Sequence, residues 1–306
     1  MKIQRLVIAL FVLLVLAGIF YWSEYRKPTS ATAKVSAEAP PAILKLDRSA
    51  ITQVAIKKKD APPLLLTKSA SGDWQISRPK PLRADPNAVS RMLSTVSSLN
   101  STRVIEQKAA DLKPYGLDPP AAEVDITEKD NQTQKLLLGD DAPVGGTAYA
   151  MLAGDPRIFA IESFSKGSMD QTLDSLRNRK LFDFGFNDPN QVELHINGKD
   201  YLLIRNGQDW SSAGKKMDAE SVRLFISKLG GLAASQFADS GFTRPTIDAT
   251  ITWDDGKRVE KVLISKSGDG YVAKRQNESE LYRLTPASVD DLQKAAEAIK
   301  PTATGK

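Results

Sequence analysis

An internal repetition constrains this chain more than any other feature, because a pattern written twice demands a fold that can be built twice. ITQVAIKKKD from Ile51 resembles PNQVELHING from Pro189, with Gln53-Val54 matching Gln191-Val192 and Ile56 matching Leu194. Each stretch leads into a second apolar run, Leu64 to Thr67 and Tyr201 to Arg205, then a polar turn and a tryptophan, Gly72-Asp73-Trp74 and Gln208-Asp209-Trp210. Short apolar runs divided by polar turns predict a β-meander in both copies. A helix follows in each. Asp85-Pro86 is an N-cap with proline at the first helical position, and Asp218 is the matching cap. Behind them Val89, Met92, Leu93, Val96 and Leu99 share one helical face, as do Val222, Phe225, Ile226, Leu229 and Leu232, with no gap between the two registers.

The copies go on to share Gly116 with Gly241, Pro120 with Pro245, and Ile126-Thr127 with Ile251-Thr252. Glu123 to Thr127 and Lys135 to Leu138 flank the polar turn Lys129-Asp130-Asn131, and Thr250 to Trp253 and Lys261 to Ile264 flank Asp254-Asp255-Gly256, each a hairpin signal. Strands at Ala148-Tyr149-Ala150 and Gly270-Tyr271-Val272 pair with Ile158 to Ile161 and Leu281 to Leu284. A short helix closes each copy, through Met169, Leu173 and Leu176 in the first and Val289, Leu292 and Ile299 in the second, the latter capped by Thr285-Pro286. The expected fold class is α+β: two tandem similar modules, residues 43–182 and 183–300, each a mainly antiparallel sheet with one amphipathic helix after its first strands and a short terminal helix. Residues 301–306 read as a tail.

Leu6 to Trp22 are seventeen apolar residues without a charge. As a helix they span about 25 Å, close to a bilayer's hydrocarbon core. Lys2 and Arg5 flank one end, and Tyr21 and Trp22 supply interfacial aromatics at the other. Ala31-Thr32-Ala33 lies too far beyond the run for an ordinary signal-peptidase site, and Ile19 stands where a lipidated cysteine would be needed. A retained anchor is therefore expected over 6–22, with residues 1–5 as a cytoplasmic tail. Residues 23–42, small, polar and proline-bearing, form the tether. The expected location is the inner membrane, single-pass, with the ectodomain in the periplasm or outside the cell.

The net charge of +5 gathers around the apolar segment, at Lys2, Arg5, Arg26 and Lys27 against Glu24. Away from it the charge is nearly balanced, and no basic stripe suggests a nucleic-acid partner. With no cysteine, disulfides, thiol nucleophiles and thiolate metal sites are excluded, and with one histidine so is a multi-histidine metal site. That histidine, His195, shares the outward face of a strand with Glu193, with no serine elbow or acidic partner near it in sequence. Asp140-Asp141 and Asp254-Asp255 fall at turns and Asp290-Asp291 in the first turn of a helix; none has calcium-loop spacing. Gly139 to Gly146 lacks the lysine and following helix of a phosphate loop and reads as a long hairpin loop. No catalytic, cofactor-binding or metal-ligating residues are expected. Trp74, Trp210, Tyr149 and Tyr271 occupy matching places, where they anchor cores or line a ligand surface between modules.

The Trp74 hairpin, the helix capped at Asp85, Tyr115-Gly116-Leu117-Asp118 with Pro120, Leu138-Gly139 and the Tyr149-Ala150 strand resemble a bacterial family catalogued as domain of unknown function 4340. LRNRKLFDF from Leu176 resembles its usual continuation. Ser240-Gly241-Phe242-Thr243 departs from the pattern, so the second copy is the more diverged. The resemblance implies a membrane-anchored envelope protein, of a kind often encoded near ABC-transporter components of the gliding-motility type. The expected function is a non-enzymatic accessory component of an ABC-type transporter or other membrane complex, with membrane or envelope proteins as partners. The alternatives are an envelope module binding a glycan or lipid and, behind it, a carboxylate-based hydrolase.

Overall fold

The computed structural model describes residues 41–143, 145–184, 189–253 and 256–303. The expected anchor at Leu6–Trp22 and nearly all of the tether lie outside the described residues. Among those described, no helix is long and apolar enough to cross a membrane. The chain divides into two units between Leu176 and Arg177. That is earlier than the junction expected at 182/183, because Arg177 to Phe182 bond and pack within the second unit.

Unit 1 opens with the meander β1 (Ile51–Lys58), β2 (Ala61–Lys68), β3 (Trp74–Arg78) and β4 (Leu82–Arg83). Helix α1 (Pro86–Ser97), β5 (Arg103–Glu106) and a 3-10 turn (Lys113–Tyr115) follow. Then come β6 (Ala122–Glu128), β7 (Thr133–Asp141), β8 (Thr147–Leu152) and β9 (Ile158–Glu162), closed by α2 (Ser163–Met169) and α3 (Leu173–Leu176). Unit 2 repeats the plan: β10 (Gln191–Ile196), β11 (Lys199–Asn206), β12 (Asp209–Ser212), β13 (Lys215–Lys216), α4 (Ala219–Gly230) and β14 (Gln236–Ala238). It ends with β15 (Ile247–Trp253), β16 (Arg258–Ser267), β17 (Gly270–Arg275), β18 (Leu281–Leu284) and α5 (Pro286–Glu297).

Each unit holds one nine-stranded antiparallel sheet, ordered β4-β3-β2-β1-β6-β7-β8-β9-β5 in the first and β13-β12-β11-β10-β15-β16-β17-β18-β14 in the second. The orders correspond strand for strand, and so does the pairing. Val54 faces Ile126 and Val124 faces Leu136 in unit 1; Val192 faces Ile251 and Ala249 faces Val262 in unit 2. Alternation sends these residues to one face of each sheet, where the helices cover them. Val89, Met92 and Val96 of α1 join the first core, and Val222, Phe225 and Leu229 of α4 the second.

The caps fall where expected. The Asp85 carboxylate accepts from the Asn87 and Ala88 amides at 2.8 and 3.0 Å, and Asp218 accepts from Ser221 at 2.9 Å. Asp85→Ala and Asp218→Ala are each expected to cost about 1 kcal/mol. Faster hydrogen exchange confined to the first turns of α1 and α4 is the readout; unchanged exchange there would mean the caps contribute nothing.

Some expectations are corrected. Asp140 and Asp141 belong to the end of β7, not to a turn, and Asp290 and Asp291 sit past the first turn of α5. Asp254 and Asp255 lie outside the described residues. The tail begins bonded: Pro301 bridges to Met217, and the Thr302 amide donates to the Lys216 carbonyl at 3.0 Å, extending the edge at β13.

Candidate functional surfaces

Trp74 and Trp210 hold strictly matching places, opposite Lys68 and Arg205 in their hairpins. Both turn inward: Trp74 packs on the first core, and Trp210 is 9% exposed within the second. Tyr149 and Tyr271 do not match. Leu138 faces Ala150 in unit 1, and its counterpart Ile264 faces Ala273 in unit 2. Counting back from that pair, Tyr149 takes the place of Val272, and Ala148 that of Tyr271. One register step reverses the face. Tyr271 packs on its core, while Tyr149, between buried Ala148 and Ala150, points to the opposite face of its sheet.

There Tyr149 meets Tyr115 edge-on, ring centres 5.0 Å apart, and the Tyr115 hydroxyl donates to Glu106 of β5. That hydrogen bond raises the phenol above its ordinary pKa. The Tyr115-Gly116-Leu117 turn is seated on the β7 bulge by two glycines. Gly116 takes φ +64° at the end of the 3-10 turn, and a Cβ there would overlap the Asp140 carboxylate. A Cβ on Gly139 would collide with the Tyr115 carbonyl oxygen. Leu117 is buried beneath. In unit 2 Ser265 follows Ile264 where Gly139 follows Leu138, and its hydroxyl accepts from the Thr243 amide at 3.1 Å. The diverged Ser240-Gly241-Phe242-Thr243 turn and this serine belong together.

The open faces of the two sheets differ. In unit 1 it carries an ion row: Lys57 lies 2.7 Å from Asp125, and Lys135 lies 3.2 Å from Glu123. The Asp125 hydrogen bond raises the Lys57 pKa. In unit 2 Lys261 and Asp248, 2.6 Å apart, repeat the Lys135 pair, and His195 takes the place of Lys57. His195 does have an acidic partner after all: Asp200, paired with it across the β10–β11 hairpin, lies 2.7 Å from its Nδ1. Asp200 is five residues away in sequence but directly opposite in register. The imidazole fills a position in an exposed ion row. On the same face Leu202, Ile204 and Val259 are 43%, 39% and 50% exposed. Ile204, Gln191, Thr252 and Val259 form one register row across β11, β10, β15 and β16.

The LRNRKLFDF stretch fastens unit 2. Arg177 pairs with Glu280 and lies over the Phe237 ring, 3.3 Å from its centre. Arg179 donates to the Ser235 carbonyl at 2.6 Å. Arg275 donates to the Leu181 carbonyl and Arg258 to that of Asp183, whose amide donates to Glu260 at 3.1 Å. Burial pushes the Glu260 carboxyl up, but the Arg275 charge and the hydrogen bonds from Arg258, Arg275 and the Asp183 amide outweigh it and hold its pKa low. These residues explain a sequence motif by packing.

A cavity of about 500 Å³ opens in unit 2 between α4 and the β11–β12 turn. Trp210, Phe184 and Ile226 supply its apolar wall; Lys180, Arg205 and Arg223 supply cations. Among the described residues no group of three or more acidic or histidine side chains is placed to hold a metal ion.

No curated protein and no solved structure matches the chain. A family model, described as a domain of unknown function (DUF4340), matches residues 74–252, more than half of the chain. The match starts at Trp74 in β3 of unit 1 and ends in β15 of unit 2, so the pattern spans both units, including the Gly116–Gly139 seat and the Arg177–Phe184 fastener. The chain belongs to the DUF4340 family.

Proposed function

We propose that this chain is a non-enzymatic, membrane-anchored envelope protein, an accessory subunit of a membrane complex of the ABC-transporter kind. The observation that carries the proposal is the open face of the second sheet. Leu202 and Ile204 on β11 and Val259 on β16 stand exposed there, on either side of Gln191, Glu193, Thr250 and Thr252 of the two strands between them. Exposed apolar side chains interspersed with uncharged polar ones on a sheet face are compatible with a contact to another protein, whose interfaces are about as apolar as the rest of the surface. The charge-free apolar segment Leu6 to Trp22 supports a membrane location for that contact, with the proline-bearing stretch behind it as the reach.

Crosslinking of the full-length chain in its own membranes at native expression, followed by mass spectrometry, is expected to enrich transporter permease or ATPase subunits over an anchor-only control. Ile204→Lys with Val259→Lys is expected to lower that enrichment severalfold while leaving the chain folded. Enrichment of no membrane-complex subunit would sink the proposal. Enrichment untouched by the double substitution would move the contact to another surface.

A further inference from the structure

Each unit begins with an extended strap laid along the segment that follows its first helix, and residues 41–46 and 179–184 match position by position. In the first strap the Ile43 amide donates to the Leu99 carbonyl at 2.8 Å, Ala42 bridges to Asn100, and the Ser101 amide donates to the Pro41 carbonyl at 3.1 Å. In the second the Leu181 amide donates to the Leu232 carbonyl at 3.0 Å, Lys180 bridges to Ala233, and the Ala234 amide donates to the Arg179 carbonyl at 2.8 Å. The backbone pairing is thus the same in both. What closes over it is not.

The second strap is clamped by charged groups. Arg275 donates to the Leu181 carbonyl, Arg258 to the Asp183 carbonyl, and Glu260 accepts from the Asp183 amide. Strand register places Leu152, Gln134 and Gln132 at the unit 1 positions of Arg275, Glu260 and Arg258. The first strap is finished instead by neutral bonds: the Leu44 amide shares the Leu99 carbonyl at 3.1 Å, the Leu46 amide donates to Ser97 at 2.8 Å, and the Ser101 hydroxyl donates to Pro41 at 2.9 Å. Hydrogen bonds to charged groups are about twice as strong as neutral ones, and water replaces the neutral kind at modest net cost. Burial runs the same way. Leu181 and Phe182 are fully covered, whereas the matching Ile43 and Leu44 are 7% and 3% exposed and bring no aromatic ring.

We propose that residues 41–46 form a releasable strap, which detaches from unit 1 by local opening while the matching strap of unit 2 stays closed. The apolar segment Leu6 to Trp22 and the proline-bearing stretch behind it precede this strap in the chain. On the membrane-anchored reading above, on which this step rests, a pull from the bilayer reaches it first. Its release adds residues 41–46, about 20 Å of extended chain, to the tether before any strand of the first sheet is disturbed.

The chain has no cysteine, so one introduced thiol reports on its own site. Leu44→Cys and Phe182→Cys place thiols at matching buried positions, and N-ethylmaleimide labelling of the full-length chain in its own membranes follows the opened fraction. Leu44→Cys is expected to label about tenfold faster or more. Truncating phenylalanine removes more contact than truncating leucine, so the substitutions themselves work against that order. Arg258→Gln gives unit 2 the residue of unit 1 and should speed labelling of Phe182→Cys about threefold or more, leaving Leu44→Cys unchanged. Hydrogen exchange in the central strands β6 and β15, expected to be the same in all variants, shows that the opening is local. Labelling of Leu44→Cys no faster than that of Phe182→Cys overturns the proposal, as does an Arg258→Gln without effect or faster exchange in β6 alongside labelling of Leu44→Cys. Recovery of the chain in the soluble fraction would sink the membrane reading alone, and the labelling ratio would still decide the strap.

Discussion

Replacing Arg275 by Met is expected to destabilise unit 2 by about 3–5 kcal/mol, the range for removing one partner of a buried ion pair. Arg275 and Glu260 are 12% and 10% exposed, and the arginine serves several acceptors at once. Its Nη1 reaches the Leu181 carbonyl and Glu260, and its Nε reaches Glu278 at 2.7 Å. Glu278 in turn accepts from the Tyr282 hydroxyl at 2.7 Å. Methionine fills the volume but leaves two carboxylates and a buried carbonyl short of a donor, with Arg258 and the Asp183 amide remaining beside Glu260.

The pH dependence has a definite sign. The Glu260 pKa is lowered in the folded chain. Its stabilisation is therefore present above the unfolded value of about 4.3 and fades as pH falls through the folded one. Without Arg275 the upward push of burial loses its largest opponent, so protonation of Glu260 comes to favour the folded state. The deficit of Arg275→Met should accordingly be largest near pH 7 and shrink towards pH 4. Hydrogen exchange of β16 and β17 amides in the full-length chain measures it at both values. A deficit under about 1 kcal/mol, or one that grows on acidification, would show that the network does not hold the 181–184 segment.

Local patterns made much of this fold legible. Gln-Val, the tryptophan after the polar turn, the aspartate cap and the helix faces each involve neighbours within a few residues, and all recur in both units. The matching registers of Val54–Ile126 and Val192–Ile251 follow from the same alternation. Strands β4, β5, β13 and β14 are two to four residues long, too short to carry a period. The chain from Leu138 to Ala150 is three residues longer than that from Ile264 to Ala273, and this difference in hairpin length, which has no hydrophobic signature, hid the opposite facing of Tyr149 and Tyr271. Asp200 was missed as the partner of His195 because hairpin register, not proximity along the chain, brings them together.

The buried ion network was within reach of the sequence. Glu260 has the parity of Val262 and Ile264, and Arg275 that of Tyr271 and Ala273, so alternation alone sends both charges inward. A charge on the buried face of a strand needs a partner, and two such charges on neighbouring strands are the natural pair. The cavity beside Trp210 was not within reach in the same way. Lys180, Arg205 and Arg223 come from three separate segments, and only the fold brings them to one opening.

Gly139→Ala is expected to cost unit 1 about 3 kcal/mol or more, at or above the top of the usual range for overpacking. The new methyl would meet the Tyr115 carbonyl, a backbone atom that cannot rotate away. It is pinned on both sides: the Gly116 amide donates to Lys113 at 3.0 Å, and the Tyr115 side chain is tied to Glu106. Relief would have to lift the whole turn, with buried Leu117, off the bulge. Gly116→Ala is the instructive companion. Its φ of +64° costs an L-residue about 1–2 kcal/mol, but the nearest atoms to its methyl belong to the exposed side chain of Asp140, which can swing into water. The smaller cost therefore belongs to the glycine with the unusual backbone, and the larger to the one with an ordinary backbone. Hydrogen exchange across β7, β8 and the 3-10 turn of both variants gives the order. A Gly116→Ala deficit equal to or greater than that of Gly139→Ala would mean that backbone strain, and not close approach of the Tyr115 carbonyl, is what the paired glycines of this turn exist to accommodate.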